Sequence, residues 1–145
     1  MQSVVCPVAR DVDVYVAMGR ARDLATLVGF DEIDRTRIEI AVLELTRNIL
    51  VHAGSGELIV ELVEDGGRRG IAVEARDRGP GIADIALAMR DGYSTAHTLG
   101  AGLPGVQRLM DDFHIDSTVG TGTRVRAVKW PSKRYGDGWP GKVRR

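Results

Sequence analysis

Cysteine and histidine are scarce in this chain of 145 residues, where Cys6 is the single thiol and His52, His97 and His114 are the only imidazoles. One cysteine excludes an internal disulfide framework and any multi-cysteine zinc or iron-sulfur site. Three histidines without H-E-x-x-H or comparable spacing give no basis for histidine-based metal chemistry. Long apolar runs are lacking as well. Charged residues interrupt each one far short of the roughly 20 residues a membrane helix needs, and no basic stretch precedes an apolar one at the N-terminus. No membrane span or secretory signal is therefore expected, and the cytoplasm is the expected compartment. Net charge is absent too, with Lys+Arg 20 against Asp+Glu 20, but it is unevenly placed. Residues 131–145 (PSKRYGDGWPGKVRR) carry Lys133, Arg134, Lys142, Arg144 and Arg145 against Asp137, a net of +4, which leaves −4 on residues 1–130. An acidic body argues against nucleic acid as a partner.

What is present suits one globular domain with a real core, at 43% hydrophobic and 28% charged residues. Val4, Val5 and Val8 around Cys6 suggest an opening strand. Asp11 then supplies an N-cap for a helix carrying Val12, Tyr15, Val16, Leu24 and Leu27, closed by Gly29. A second helix starts near Asp31 and sets Ile38, Ala41, Val42, Leu45 and Ile49 in one continuous stripe, stopped by Gly54 and Gly56. Residues 57–64 and 71–77 flank Asp65-Gly66-Gly67 and read as an antiparallel hairpin. A short helix over 83–90, a loop over 93–103, a helix opened by Pro104 and strands at 113–118 and 123–130 complete the order. This order predicts an α+β fold, with helices on one face of a mixed, mostly antiparallel sheet. The tail from Pro131 lacks periodicity and reads as a flexible extension, although Tyr135 and Trp139 beside cations equally suit a partner anchor.

Three motifs carry the chemistry. Glu44 and Asn48 stand i and i+4 on the second helix, so their side chains project from neighbouring points of one face. A carboxylate can orient and deprotonate a hydroxyl, and an Asn carbonyl is a hard oxygen donor suited to Mg²⁺; the same pair on a solvated face would mean nothing. Asp77-Arg78-Gly79-Pro80-Gly81 ends a strand. As well as an ordinary tight turn, it can set a carboxylate acceptor beside backbone that, lacking Cβ at Gly79 and Gly81, approaches a flat ligand. Gly100-Ala101-Gly102-Leu103-Pro104-Gly105 leads into a helix, but no strand precedes it, so the dinucleotide-binding reading fails. What remains is glycine-rich backbone and a helix N-terminus that favour an anionic phosphate.

In this order the three motifs resemble the N, G1 and G2 boxes of the GHKL (Bergerat-fold) ATPases, a two-layer α/β sandwich. DRGPGI, DGYST, LGAGLPGVQRLMDDF and the closing GTGT with KW are further similar to the RsbT-type switch kinases over residues 1–130. The resemblance implies a serine/threonine kinase using ATP and Mg²⁺. Its partners would be a STAS-domain protein, as substrate in a stress-signalling (stressosome) complex, and a serine phosphatase that the released kinase activates. It further implies Glu44 as catalytic base, Asn48 as Mg²⁺ ligand, Asp77 as adenine-binding carboxylate with Gly79 and Gly81 in its turn, Gly100, Gly102 and Gly105 as the phosphate-side loop, and Thr123 in support of the Asp–adenine network. Arg47 either helps to position Glu44 or forms a surface ion pair, and Arg20 and Arg22 suit either a docking rim or plain solvation. His52 and His97 receive no role, and Cys6 reads as a small buried apolar residue. An anti-sigma factor of the RsbW/SpoIIAB kind is the alternative, and a nucleotide-dependent scaffold without turnover is disfavoured by the retained Glu44.

Overall fold

The computed structural model describes residues 2–90 and 102–132. In chain order the elements are β1 (Ser3–Val8), α1 (Asp11–Val28), α2 (Glu32–His52), β2 (Gly56–Asp65), β3 (Arg68–Asp77), α3 (Ile85–Ala88), α4 (Gly102–Leu109), β4 (Asp112–Thr118) and β5 (Gly122–Lys129). The strands form one sheet in the order β1-β2-β3-β5-β4, and each described pairing is antiparallel. α1 and α2 pack on one face of it, and α4 packs on α2. Their shared core joins Val8, Leu58, Val60, Ile71, Val73, Val125 and Ala127 of the sheet to the stripe Ile38, Ala41, Val42, Leu45 and Ile49, all buried.

Local sequence explains most boundaries. Asp31 caps α2 by accepting the Asp34 amide at 2.8 Å, and Gly66 and Gly67, at φ 57 and 82, form the left-handed two-residue turn between β2 and β3. α1 differs from expectation at both its start and its buried face. Arg10, not Asp11, is the N-cap residue. The capping carboxylate is Asp13, which accepts the Ala9 and Arg10 amides at 2.9 Å each, and those two bonds hold its carboxyl below the ordinary range. The bulky residues Val12, Tyr15, Val16 and Leu27 face solvent, and the buried face is Val14, Ala17, Ala21, Leu24 and Ala25. Alanines at i, i+4 and i+8 let α1 lie close on α2, which large side chains there would prevent. The helix expected over 83–90 is the single turn Ile85–Ala88, capped by Asp84. α4 begins at Gly102, two residues before the expected Pro104, and Pro104 is tolerated because first-turn amides have no helical partner.

β3 is buried along most of its length, including Glu74 on the face that carries no helices. Arg126 reaches Glu74 at 3.3 Å and Glu61 at 3.0 Å, and Arg76 bonds the other Glu74 oxygen. Guanidinium stems thus cover the open face where a second helical layer would otherwise be needed.

At the far end of β5 a polar knot ties the chain to the start of α2. Asp34, 1% exposed, accepts the Ser132 amide at 2.9 Å and its hydroxyl at 3.0 Å. Lys129, 3% exposed, lies 3.8 Å from Asp34 and bonds Asp111 at 3.1 Å. Trp130 donates from its indole to Asp112 at 3.1 Å and carries the Arg68 guanidinium over its ring at 4.4 Å. Asp34 lies about 21 Å along α2 from Asn48 at the rise of an ideal helix. D34A leaves Lys129 short of one buried counter-charge, so it lowers unfolding free energy in urea by about 3 kcal/mol.

Candidate functional site

A cavity of about 550 Å³ opens where the C-terminal end of α2, the end of β3, the start of β5 and the first turn of α4 converge. That size suits a drug-sized or nucleotide ligand. Asn48, Asp77, Gly81, Gly102 and Thr123 all line it, so residues of the three motifs, far apart in sequence, share one cavity. Leu45, Ile49, Ala75, Ile82, Leu103 and Val125 give it an apolar lining against which a flat ring can stack.

The β3–β5 register sets Asp77 directly opposite Thr123. One carboxylate oxygen of Asp77 accepts the Gly79 amide at 2.8 Å, which fixes the group and leaves the second oxygen for a ligand. The turn that follows is stapled to the β4–β5 hairpin, for the Gly120 amide donates to the Pro80 carbonyl at 2.8 Å and the Ile82 amide to Ser117 Oγ at 2.7 Å. Both glycines of this turn make room for protein. A Cβ at Gly81, whose φ is +79, would run into the Thr118 carbonyl, and one at Gly79 would stand 2.6 Å from the Ala53 Cβ. Neither substitution fits without moving backbone, although only Gly81 borders the cavity.

Glu44 is 1% exposed, and Oε1 accepts the Gly102 amide at 3.1 Å across 58 residues of sequence. The expected base therefore sits behind the first turn of α4, next to the cavity without lining it. A carboxylate on helix-terminal amides is a favourable arrangement for a buried charge. Gly105 is buried inside α4. Gly100 and the 93–101 part of the expected loop, His97 included, lie outside the described residues, as do residues 133–145 of the tail. Arg47 and Arg20 are exposed on their helices, and Arg22 stands 4.0 Å from Glu39. Cys6 is buried in β1, and burial pushes its thiol pKa up, which keeps it in the unreactive form.

His52, Asp84 and Arg90 line the cavity and were not assigned from sequence. His52 had a signal: it lies one further turn along the face that carries Glu44 and Asn48. Asp84 and Arg90 follow no spacing rule, because α3 is too short to show a period. No described group of three or more His, Cys, Asp or Glu side chains could hold a metal ion. A cation here would take one oxygen from Asn48 and the rest from phosphates and water, as Mg²⁺ does in phosphoryl-transfer sites. The Asn48 amide beside a phosphate-favouring helix N-terminus fits that arrangement.

Residues 8–129 match the family described as the histidine kinase-like ATPase domain. The chain is 48% identical over 118 residues to Serine/threonine-protein kinase RsbT of Bacillus subtilis, covering 81% of this chain and 89% of that protein. It is 32% identical over 99 residues to an anti-sigma F factor of a Thermoanaerobacter species, 64% of this chain and 68% of that one. Among solved structures, the RsbU and RsbW domains of a Mycobacterium tuberculosis protein superpose with a TM-score of 0.62 at 17% identity, over 89% of this chain and 32% of that one. The mycobacterial sensor histidine kinase MprB gives 0.52 at 19%, over 88% and 97%. No described helix is long and apolar enough to cross a membrane. The chain belongs to the histidine kinase-like ATPase family and, within it, to the RsbT-type serine/threonine switch kinases.

Proposed function

We propose that this chain binds Mg-ATP in the cavity and phosphorylates a serine or threonine of a STAS-domain partner, and that once released it activates a serine phosphatase in a stress-signalling switch. The observation that carries the reading is the meeting of Asn48, Asp77, Gly81, Gly102 and Thr123 on one cavity of about 550 Å³. ATP is the nucleotide of the family. Asp77 would accept the adenine amine with its second oxygen, and the α4 N-terminus would receive the phosphates. Bound there, Mg²⁺ on Asn48 would neutralise phosphate charge.

Phosphoryl transfer asks the protein mainly for positioning. Glu44 stands beside the phosphate-side helix, where it already accepts the Gly102 amide. Phosphate oxygens drawn to the same turn would compete for that amide and turn the carboxylate toward the incoming hydroxyl. Glu44→Gln keeps an acceptor for Gly102 but no base, so it binds Mg-ATP as wild type does and transfers no phosphate. Asn48→Ala weakens the Mg²⁺-dependent part of binding itself. Calorimetry beside a phosphotransfer assay separates the two, and normal turnover by Glu44→Gln would place the base elsewhere.

A phosphate added to the partner brings about −1.5 to −2 charges next to a phosphate-binding mouth, and repulsion from a reloaded ATP would release it. Size-exclusion chromatography of the chain mixed with a STAS protein is expected to show a complex that dissolves on adding Mg-ATP, leaving phosphate on the STAS protein. Stable capture of a sigma factor, with no effect on any STAS protein, would favour instead the anti-sigma reading suggested by the 32% identical relatives.

A further inference from the structure

Ser117 lies on β4, outside the cavity wall, and its hydroxyl joins three segments of the base-binding end. Oγ accepts the Ile82 amide at 2.7 Å, lies 2.8 Å from Thr123 Oγ1, and stands 3.3 Å from the Gly122 carbonyl. Ser117 and Thr123 are directly paired across β4 and β5, as Thr123 and Asp77 are across β5 and β3. The three polar side chains therefore stand in a row on one face of the sheet, ending in the cavity.

Each hydroxyl has one hydrogen to give. If Ser117 donates to Thr123, the Thr123 hydrogen is left to point into the cavity beside the Asp77 carboxylate. If Thr123 donates to Ser117, and Ser117 to the Gly122 carbonyl at the longer 3.3 Å, Thr123 offers the cavity only lone pairs. Next to Asp77 the first arrangement makes an acceptor–donor pair. Adenine presents the complementary pair on its Watson–Crick edge, the N6 amine as donor and ring N1 as acceptor, whereas guanine presents the reverse. Without Ser117 the Thr123 hydroxyl loses the neighbour that orients it.

We propose that Ser117 is a positioning residue for nucleobase recognition, donating to Thr123 so that Thr123 in turn donates to ring N1 of the adenine whose amine Asp77 accepts. This rests on the ATP reading of the cavity. Ser117 itself never touches the base.

The test is calorimetry on the full chain with Mg-ATP and with Mg-1-deaza-ATP, in which N1 is replaced by C–H. Wild-type binding of Mg-ATP comes first, and its absence would overturn the ATP reading and this inference together. S117A is expected to lower ATP affinity about fivefold, the loss of one neutral hydrogen bond, and to leave 1-deaza-ATP affinity unchanged. In a T123V background S117A should cost nothing further for ATP, and in the otherwise wild-type chain S117T should keep the wild-type value. Equal losses for the two nucleotides, or additive losses with T123V, would make Ser117 a structural staple of the Ile82 turn and overturn the inference while the ATP reading stands. Should S117A fail to fold by circular dichroism, S117C takes its place, since a thiol is a weak donor to Thr123; it must weaken ATP and spare 1-deaza-ATP, and equal losses for the two nucleotides would overturn the inference.

Discussion

The β3–β5 register is the constraint from which the rest of the site follows. It pairs Asp77 with Thr123 across two neighbouring strands, and the β4–β5 register adds Ser117 beside them. A slip of one residue would turn Asp77 to the opposite face of the sheet and take the carboxylate out of the cavity. Close backbone approach reinforces the register at this end. Gly122 lies so near the Asp77 carbonyl that a Cβ there would overlap it, and Gly56 is pressed in the same way against the Arg76 carbonyl. These glycines let the strand ends and the Asp77 turn come together, and the recognition groups inherit their spacing from that approach.

A second contact joins the sheet-and-helix body to the phosphate side. Glu44 on α2 accepts the Gly102 amide of α4, beneath the packing of the two helices. A carboxyl group this deeply buried is expensive without hydrogen-bond partners. Its placement on a helix-terminal amide both offsets that cost and keeps the carboxylate within reach of any group that takes the amide over. Under the proposed function, a residue that does not line the cavity would serve the reaction within it through this contact.

Much of this was legible in the residues. The α2 stripe, the Gly66-Gly67 turn and the order of elements follow from periodicity and turn chemistry, and the Glu44, Asn48 and Asp77 motifs were visible as spacings. Apart from Leu24, the buried face of α1 was not legible. Its large apolar residues Val12, Tyr15 and Leu27 drew the eye, while packing selected the alanines between them. The role of Gly79 and Gly81 as room for Ala53 and Thr118 depends on neighbours far away in sequence. Ser117 gave no signal at all, because a serine in a strand looks alike whether it faces water or holds a threonine hydroxyl in place. Tertiary neighbours decide such cases, and local pattern does not carry them.

ATP binding through Asp77 is the claim on which the functional reading turns. Asp77→Asn keeps the shape of the side chain and removes its charge, and turning part of the acceptor into a donor sets it against the adenine amine. Calorimetry with Mg-ATP on the folded variant is expected to show affinity reduced tenfold or more, the equivalent of about 1.5 to 3 kcal/mol for one charged hydrogen bond. Affinity equal to that of the wild-type chain would contradict it and move the adenine to another wall of the cavity.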